Sequence, residues 1–308
     1  MGFALRNKDK GNHIVTTETE HISIHNISKY LTKAGFTVTK VPVDHYGRVS
    51  VKDVAESITG YTILVSVGYA SNEIGTVQPI SEIGELCREK EIAFHSDAVA
   101  AEGLLPMDVE RDNLSLASLS SNDIYGPKGL GVLYRKKGMK LIPQVIGGGQ
   151  EFGLRSGTEN IAAIVGMAEA VKIMQGEMTG EVERIKGYRD QLIETILVKI
   201  PRSYLNGHPT DRLPNNAHFR FDGVEGEALL LTLNAKGVMG STGSACSSKT
   251  LEPSHTLLSL GLSHEQAHGS LELTCGRFNT QEDVDKVLEV LPDILARLRE
   301  LSPLYDGD

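Results

Sequence analysis

Short, almost wholly apolar runs alternate with helix-like stretches through the first half of this chain. Residues 61–67, with the sequence YTILVSV, are apolar on both faces of a strand, as is typical of strands covered on both sides. Residues 22–34 carry apolar side chains at the spacing of one helix face. Strands that alternate with helices predict an α/β fold with a mostly parallel sheet. The predicted strands are residues 13–17, 36–43, 61–67, 92–97, 114–120 and 131–136, and the predicted helices are residues 22–34, 51–58 and 79–89.

The pattern changes after the glycine-rich stretch 147–157. The later part combines long helical patterns with short strand-like segments that do not alternate regularly, which favours a smaller α+β domain. We therefore predict a large domain over residues 1–176 and a small C-terminal domain over residues 177–308. The helical patterns cover residues 160–176, 181–200, 225–236 and 281–301, and the strand-like segments include residues 216–222 and 271–274.

Length and composition exclude several classes of protein. The 308 residues suffice for about two domains, and 40% apolar with 23% charged residues is an ordinary globular balance. The net charge of −9 argues against a nucleic-acid partner or an anionic membrane surface. No apolar run reaches the roughly 18 residues that a membrane-spanning helix needs. Cys87, Cys246 and Cys275 are far apart and odd in number, so we expect no disulfide framework and a cytoplasmic protein.

Polar side chains follow several of the predicted strands. Ligands of parallel sheets bind beyond the carboxyl ends of the strands, which singles out residues 69–72, Asp97 and residues 120–123. Asp97 closes a buried strand, where a carboxylate either caps the next turn or pairs with the protonated ring nitrogen of pyridoxal phosphate. These residues alone leave both interpretations open. Asn72, in the segment SNEIG, also suits an ordinary turn.

The loop GSACSS at residues 243–248 places one thiol, that of Cys246, among small and polar side chains. Such a loop leaves the thiol unhindered, as a group that moves between partners requires, and the nearby Lys249 favours its reactive thiolate form. The alternative is a cysteine that packs as a small apolar side chain. We expect that packing role for Cys87 and Cys275.

Two further residues have both a functional and an ordinary interpretation. His21 follows a predicted strand and either stacks on a cofactor ring or lies at the surface as a common polar residue. Arg277 either binds a substrate carboxylate through two guanidinium nitrogens or forms a structural salt bridge. His264 and His268 are four residues apart on a predicted helix, but without a third ligand nearby they predict no metal site.

Taken together, these segments resemble the NifS/IscS-type cysteine desulfurases, which are dependent on pyridoxal phosphate and belong to the class-V aminotransferases. The resemblance runs nearly end to end. It implies the fold of the PLP-dependent transferases (aminotransferase fold type I), a homodimer, and a role in supplying sulfur for iron–sulfur cluster assembly. The motifs that carry it are EH (20–21), SNEIGTVQPI (71–80), HSDA (95–98), IYGPKGLG (124–131), GGGQEFGLRSGTEN (147–160), YLNGH (204–208), GSACSS (243–248), LEPSH (251–255) and GRFNT (276–280).

The resemblance implies a binding site for pyridoxal phosphate. By this similarity His21 would stack on the ring, Asn72 would bond its phenolic oxygen, and Asp97 would pair with its nitrogen. Ser120 would hold the phosphate, and Thr158 would reach the phosphate that is bound to the neighbouring subunit.

The resemblance also implies L-cysteine as a substrate. Arg277 would bind the carboxylate of that cysteine, and Cys246 would attack its sulfur and carry the persulfide. Equally, Cys246 could act as a ligand of a [2Fe–2S] cluster shared with an IscU-type scaffold protein, because thiolates are the usual ligands of iron–sulfur clusters.

Three departures from the family pattern alter these expectations. The family has the sequence S-x-H-K before I-Y-G-P-K-G, and its first lysine forms the Schiff base; the corresponding positions here are Asn122 and Asp123. Lys128 is not a simple substitute, because the family motif has its own lysine there. The glutamine that faces the ring in the family is Ala100 here. The family's N-terminal segment, with the phosphate-binding loop GATEA, is not found in this sequence.

These departures all weaken the implied catalysis. A carboxylate cannot form a Schiff base, and loss of a general acid–base group typically lowers turnover about 10²–10⁴-fold. We therefore expect pyridoxal phosphate to be bound non-covalently or lost. The alternatives are a desulfurase that uses another base, a non-catalytic scaffold-binding or regulatory protein, and a truncated gene product. Without the N-terminal segment of the family, the fold should also expose apolar surface.

Overall fold

The computed structural model describes residues 1–242, 253–303 and 305, and these form two compact units. The first unit contains residues 1–42, 49–70 and 78–178. The second unit contains residues 43–48, residues 71–77 and the remainder from residue 179 onward. The predicted domain boundary between residues 176 and 177 stays a prediction, because compactness does not test whether each part folds alone.

A six-stranded sheet organises the first unit, in the order β2-β1-β3-β4-β5-β6. The first five strands are parallel to their neighbours, and β6 is antiparallel to β5. Every residue of β1 is buried, as expected for a central strand that is covered on both faces. This confirms the predicted α/β fold with a mostly parallel sheet. The strands are β1 (His13–Thr17), β2 (Thr37–Val41), β3 (Thr62–Ser66), β4 (Ala93–Asp97), β5 (Leu116–Ser120) and β6 (Gly131–Arg135).

Helices follow β1, β2 and β3 and connect each of them to the next strand, and one short helix precedes β1. Their starts follow local chemistry: the imidazole of His21 accepts a hydrogen bond from the backbone N–H of Ser23, and Ser50 accepts one from Asp53. Leu31 of the second helix packs against Ile14 and Leu64 of the sheet. The helices are α1 (Gly2–Arg6), α2 (Ile22–Lys33), α3 (Val51–Ser57) and α4 (Ile80–Glu89).

A three-stranded antiparallel sheet forms the centre of the second unit, in the order β7-β8-β9. Its core packs apolar side chains of the sheet, including Phe219 and Leu271, against helical residues such as Leu229, Leu291 and Leu295, all fully or almost fully buried. The strands are β7 (Ser203–Asn206), β8 (Asn216–Phe221) and β9 (Ser270–Thr274), and the helices that lie wholly in this unit are α6 (Gly226–Ala235), α7 (His255–Ser259), α8 (His264–His268) and α9 (Gln281–Glu300).

One long helix, α5 (Ile161–Lys199, 39 residues), replaces the two helices predicted over residues 160–176 and 181–200. The prediction of a break was wrong because residues 177–180 contain neither a proline nor an effective cap. Gly180 weakens a helix by about 1 kcal/mol relative to alanine but does not end it. Among the described residues, no helix is both long and apolar enough to cross a bilayer.

Two of the three cysteines pack in the interior. Cys87 of α4 is 1% exposed and Cys275, directly after β9, is 9% exposed. Burial raises the pKa of the Cys87 thiol to about 12, so this thiol stays protonated and unreactive at neutral pH. The prediction that both cysteines pack as small apolar residues is confirmed.

Strand β6 forms one edge of the large sheet and is poorly covered. Val132 is 41% exposed and Leu133 is 50% exposed, although the two side chains point to opposite faces of the sheet. Further along the first unit, Ile146 and Phe152 are almost fully exposed. The first unit therefore carries apolar surface on both sides of this edge.

Candidate functional site

Several sequence-predicted residues lie where strands of the large sheet end. Strands β1, β3, β4 and β5 are parallel, so their carboxyl ends meet at one edge. Asp97 is the last residue of β4 and Ser120 is the last residue of β5. Glu20 and His21 follow β1, and His21 caps helix α2. This edge is where parallel α/β sheets bind ligands.

Asp97 is the half-buried carboxyl at the centre of this edge. Its Oδ1 accepts a hydrogen bond from the backbone N–H of Val99 at 3.3 Å. Burial raises the pKa of Asp97, the bond from Val99 and the nearby His21 lower it, and the negative charge of Asp123 raises it further. A cationic group placed here would therefore be favoured, because it would offset both the burial and the repulsion.

Asp123 lies on a single turn of 3₁₀-helix, Asn122–Ile124, just beyond β5. The turn is closed by hydrogen bonds from the N–H of Tyr125 to the carbonyl of Asn122 (3.1 Å) and from the N–H of Gly126 to the carbonyl of Ser121 (2.8 Å). The Asp123 side chain is exposed. The position that holds an amine in the family pattern therefore presents a carboxylate, and its charge acts on Asp97.

Two buried carboxyl groups, one near Asp97 and one near Asp123, were not singled out from the sequence. Glu102 is 8% exposed, and its Oε2 accepts a hydrogen bond from the backbone N–H of Ser120 at 2.9 Å. Burial raises the pKa of Glu102, this bond opposes the rise, and the charge of Asp123 adds to it. The turn between residues 98 and 105 folds back from β4, so only the three-dimensional structure brings Glu102 to the end of β5.

Glu20 is the second of these groups. Its Oε1 accepts hydrogen bonds from the hydroxyl of Thr17 at 2.7 Å and from the backbone N–H of Gly68 at 2.9 Å. Burial raises the pKa of Glu20 to about 7, and the nearby charge of Asp97 contributes to the rise. Its position shortly after the predicted strand 13–17 is the feature of the sequence that could have identified Glu20. We refer to Glu20, Asp97, Glu102 and Asp123 as the carboxyl cluster.

An uncharged histidine, His95, lies two residues before Asp97 on strand β4. The ring nitrogens of His95 bond the hydroxyls of Ser66 (2.8 Å) and Ser118 (3.0 Å) on the neighbouring strands. Burial lowers the pKa of His95 to about 4, so the ring is uncharged at neutral pH. It therefore gives the carboxyl cluster no compensating positive charge.

The remaining predicted site residues lie elsewhere. Thr158 is an exposed residue of the first unit. Asn72 and Arg277 belong to the second unit, where the carbonyl of Asn72 accepts from Asn216 Nδ2 at 3.0 Å. Cys246 lies outside the described residues. The structure thus brings His21, Asp97, Ser120 and Asp123 together in the first unit, and their proposed roles stay predictions.

The residues at this edge fit one part of pyridoxal phosphate and not the rest. Asp97 suits a protonated ring nitrogen. The position for the Schiff base holds a carboxylate, and the N–H of Ser120 already bonds Glu102, so a phosphate dianion would meet acidic neighbours. The carboxyl cluster therefore does not fit a covalently held cofactor. In residues 1–242, 253–303 and 305, no group of three His, Cys, Asp or Glu side chains is placed to hold a metal ion.

Comparison with known proteins agrees with the fold and with the resemblance. Residues 2–287 match the class-V aminotransferase family. Cysteine desulfurase IscS 1 of Archaeoglobus fulgidus is 52% identical over 99% of this chain and 79% of its own length, and cysteine desulfurase IscS of Clostridium botulinum is 54% identical over 99% and 77%. The solved structure of a NifS-like protein is 31% identical, with a TM-score of 0.85 over 97% of this chain and 77% of its own.

A NifS-like protein of Rickettsia africae has the same TM-score of 0.85, with 28% identity over 95% of this chain and 78% of its own. The family match over residues 2–287 and the extent of these similarities lead to one assignment. The chain belongs to the class-V aminotransferase family, within its branch of IscS/NifS-type cysteine desulfurases.

Proposed function

We propose that this chain acts in iron–sulfur cluster assembly through the thiol of Cys246, without turnover that depends on a Schiff-base lysine. The observation that carries the proposal is the carboxyl cluster: Asp123 lies close enough to Asp97 and Glu102 to raise the pKa of both. A family member that used a lysine here would place a positive charge at that point. The relatives named IscS support the broader role in cluster assembly.

Cys246 has two chemical roles in this proposal. As a sulfur carrier it would hold a persulfide, with the carboxylate of L-cysteine bound by Arg277. As a cluster ligand its thiolate would complete a [2Fe–2S] cluster on an IscU-type scaffold protein, and this second role needs neither pyridoxal phosphate nor a lysine. We favour the ligand role, because the carboxyl cluster removes the chemistry that would load Cys246 with sulfur.

The proposal includes an assembly and a location. The chain is proposed to form a homodimer in the cytoplasm, with Thr158 facing the site of the neighbouring subunit, and with its large and small domains divided near residue 177. It is supported by the family relationship and by the apolar surface around Val132, Leu133 and Ile146 of the first unit. A homodimer would bury part of that surface.

Replacement of Cys246 with serine is expected to abolish the contribution of this chain to cluster formation. The reason is that a hydroxyl neither carries sulfur nor binds iron as a thiolate does. The measurement is the visible absorption of the cluster on the co-purified scaffold, supplied with iron and free sulfide. We expect absorption no higher than that of the scaffold alone.

The matched control is Cys87→Ala, which removes a thiol that is buried and protonated. It should leave cluster formation at the wild-type level. Unchanged cluster formation with Cys246→Ser would contradict the ligand role of the thiol and would favour a scaffold-binding protein, because the free sulfide in this assay makes a sulfur carrier unnecessary.

A further inference from the structure

A concave pocket of about 420 Å³ lies in the second unit, apart from the residues of the carboxyl cluster. This volume is within the range of small-molecule sites. Its walls come from a segment before α3, from the strands β7 and β8, and from the residues after α7. The lining residues that matter here are His45, Tyr46, Tyr204, Asn206, Arg220 and Leu262.

Among the described residues that line this pocket, Arg220 of β8 is the only arginine or lysine, and none is an aspartate or glutamate. Its Nη1 donates to Oδ1 of Asn206 at 3.1 Å, and its Cζ lies 4.2 Å from the ring centre of Tyr204 on the paired strand. Among the described residues, no carboxylate lies within ion-pair distance of Arg220, and its buried Nε has no hydrogen-bond acceptor.

The carboxylate of Asp222, whose charge acts on Arg220, already accepts another hydrogen bond. Oδ2 of Asp222 accepts a hydrogen bond from the hydroxyl of Tyr204 at 3.0 Å. Burial lowers the pKa of Arg220 more than the charge of Asp222 raises it. The guanidinium is thus a half-buried cation whose charge is incompletely balanced, and such a group favours an anion in the adjacent space.

Aromatic and apolar side chains make up much of the rest of the lining. The rings of His45 and Tyr46 are 3.8 Å apart, and Tyr46 meets His208 edge-on at 5.3 Å. The carbonyl of Tyr46 accepts a hydrogen bond from the hydroxyl of Thr76 at 2.5 Å, which fixes the backbone that carries these rings. Flat rings beside a fixed cation are suited to a planar organic anion.

We propose that this pocket binds a small aromatic carboxylate, with the carboxylate on the guanidinium of Arg220 and the ring against Tyr46 and His45. The arginine matches a carboxylate in charge, and a guanidinium forms charge-assisted hydrogen bonds with carboxylates. None of its lining residues belongs to the carboxyl cluster, and the proposal does not rest on the cluster-assembly role.

The test uses the full-length chain and the probe 2-naphthoate, with 2-naphthamide as the uncharged match. The chain contains no tryptophan, so naphthalene fluorescence can be read without interference from indole. We expect 2-naphthoate to bind with a dissociation constant on the order of 1 mM or tighter. The amide should bind about tenfold more weakly than 2-naphthoate, because it lacks the charge-assisted hydrogen bonds.

Two variants decide the assignment. Arg220→Gln should remove the preference for the carboxylate, whereas Arg297→Gln, at an exposed arginine of α9, should keep it. Tyr46→Ala should weaken both probes and keep their ratio, and thermal unfolding of each variant reports whether it is folded. Equal affinity for the two probes in the wild type, or a preference that survives Arg220→Gln, overturns the proposal.

Discussion

Replacing Asp123 with lysine is expected to give this chain a covalent adduct with pyridoxal phosphate that borohydride can trap. The variant places a primary amine on the turn beyond β5 and removes a negative charge that acts on Asp97 and Glu102. We also expect alanine release from L-cysteine to rise by about 10²–10⁴-fold over the wild type, as is typical when a missing acid–base group is supplied. Mass spectrometry of the reduced protein and an alanine assay give the two readouts.

Two control variants separate the effect of the added amine from the effect of the removed negative charge. Asp123→Asn removes the charge without an amine, so it should form no adduct and release no alanine. The double variant Asp123→Lys with Cys246→Ala should form the adduct and release no alanine. A trapped adduct in the unmodified chain would show that another lysine, such as Lys128, already serves, and our assignment of Asp123 would fall.

Glu272→Gln is expected to stabilise the chain at pH 8 and to leave its stability near pH 4.5 unchanged. Glu272 of β9 lies beside Glu73 in the second unit, and its Oε1 accepts from Asn216 Nδ2 at 3.3 Å. Burial raises the pKa of Glu272 to about 8, and the charge of Glu73 adds to the rise. Burial also raises the pKa of Glu73 to about 7, against hydrogen bonds from Ser254 and Thr256.

The sign follows from proton binding. Between pH 4.5 and pH 8 the folded state holds protons on these carboxyls that the unfolded chain releases, so the free energy of unfolding falls as the pH rises. The contribution is fully present below the unfolded pKa of 4.5 and is lost above pH 8. Burial on this scale costs on the order of a few kcal/mol at pH 8. Glutamine still accepts the hydrogen bond from Asn216 but carries no charge, so the folded variant does not bear the free-energy cost of a buried carboxylate.

Urea unfolding over a pH series measures this effect. The wild type should lose stability steadily between pH 5 and pH 8, and Glu272→Gln should flatten the curve. Glu194→Gln, at an exposed position of α5, is the matched control and should follow the wild type. Parallel curves for Glu272→Gln and the wild type would mean that Glu272 is ionised in the folded state at no cost.

The large sheet was predictable because its strands correspond to short apolar runs in the sequence. The run at residues 61–67 contains β3, and Asp97 ends β4 as expected. The continuity of α5 was not predictable from periodicity, since Gly180 and a polar stretch resemble a helix end. Helix propensity there is a weak preference, and packing on both sides of the stretch overrides it.

The candidate site was only partly predictable for a different reason. Residues at strand ends, such as Asp97 and Ser120, can be placed at one edge once a parallel sheet is inferred. Glu102 reaches the end of β5 through the course of a turn, and no periodicity encodes that path. The pocket beside Arg220 likewise combines the paired strands β7 and β8 with His45 and Tyr46, which are distant from these strands in sequence.

The position of β6 has a consequence for how copies of this chain behave in concentrated solution. Within the part of the chain that the structure describes, its outer row of backbone N–H and C=O groups pairs with no other strand, so it can accept a strand from a second molecule. Arg135, Lys136 and Lys137 at its end repel the same residues of another copy. Salt screens charges that are farther apart than the Debye length, and this length shortens as salt is added. Added salt therefore promotes self-association at this edge, in contrast to the usual remedy of raising ionic strength.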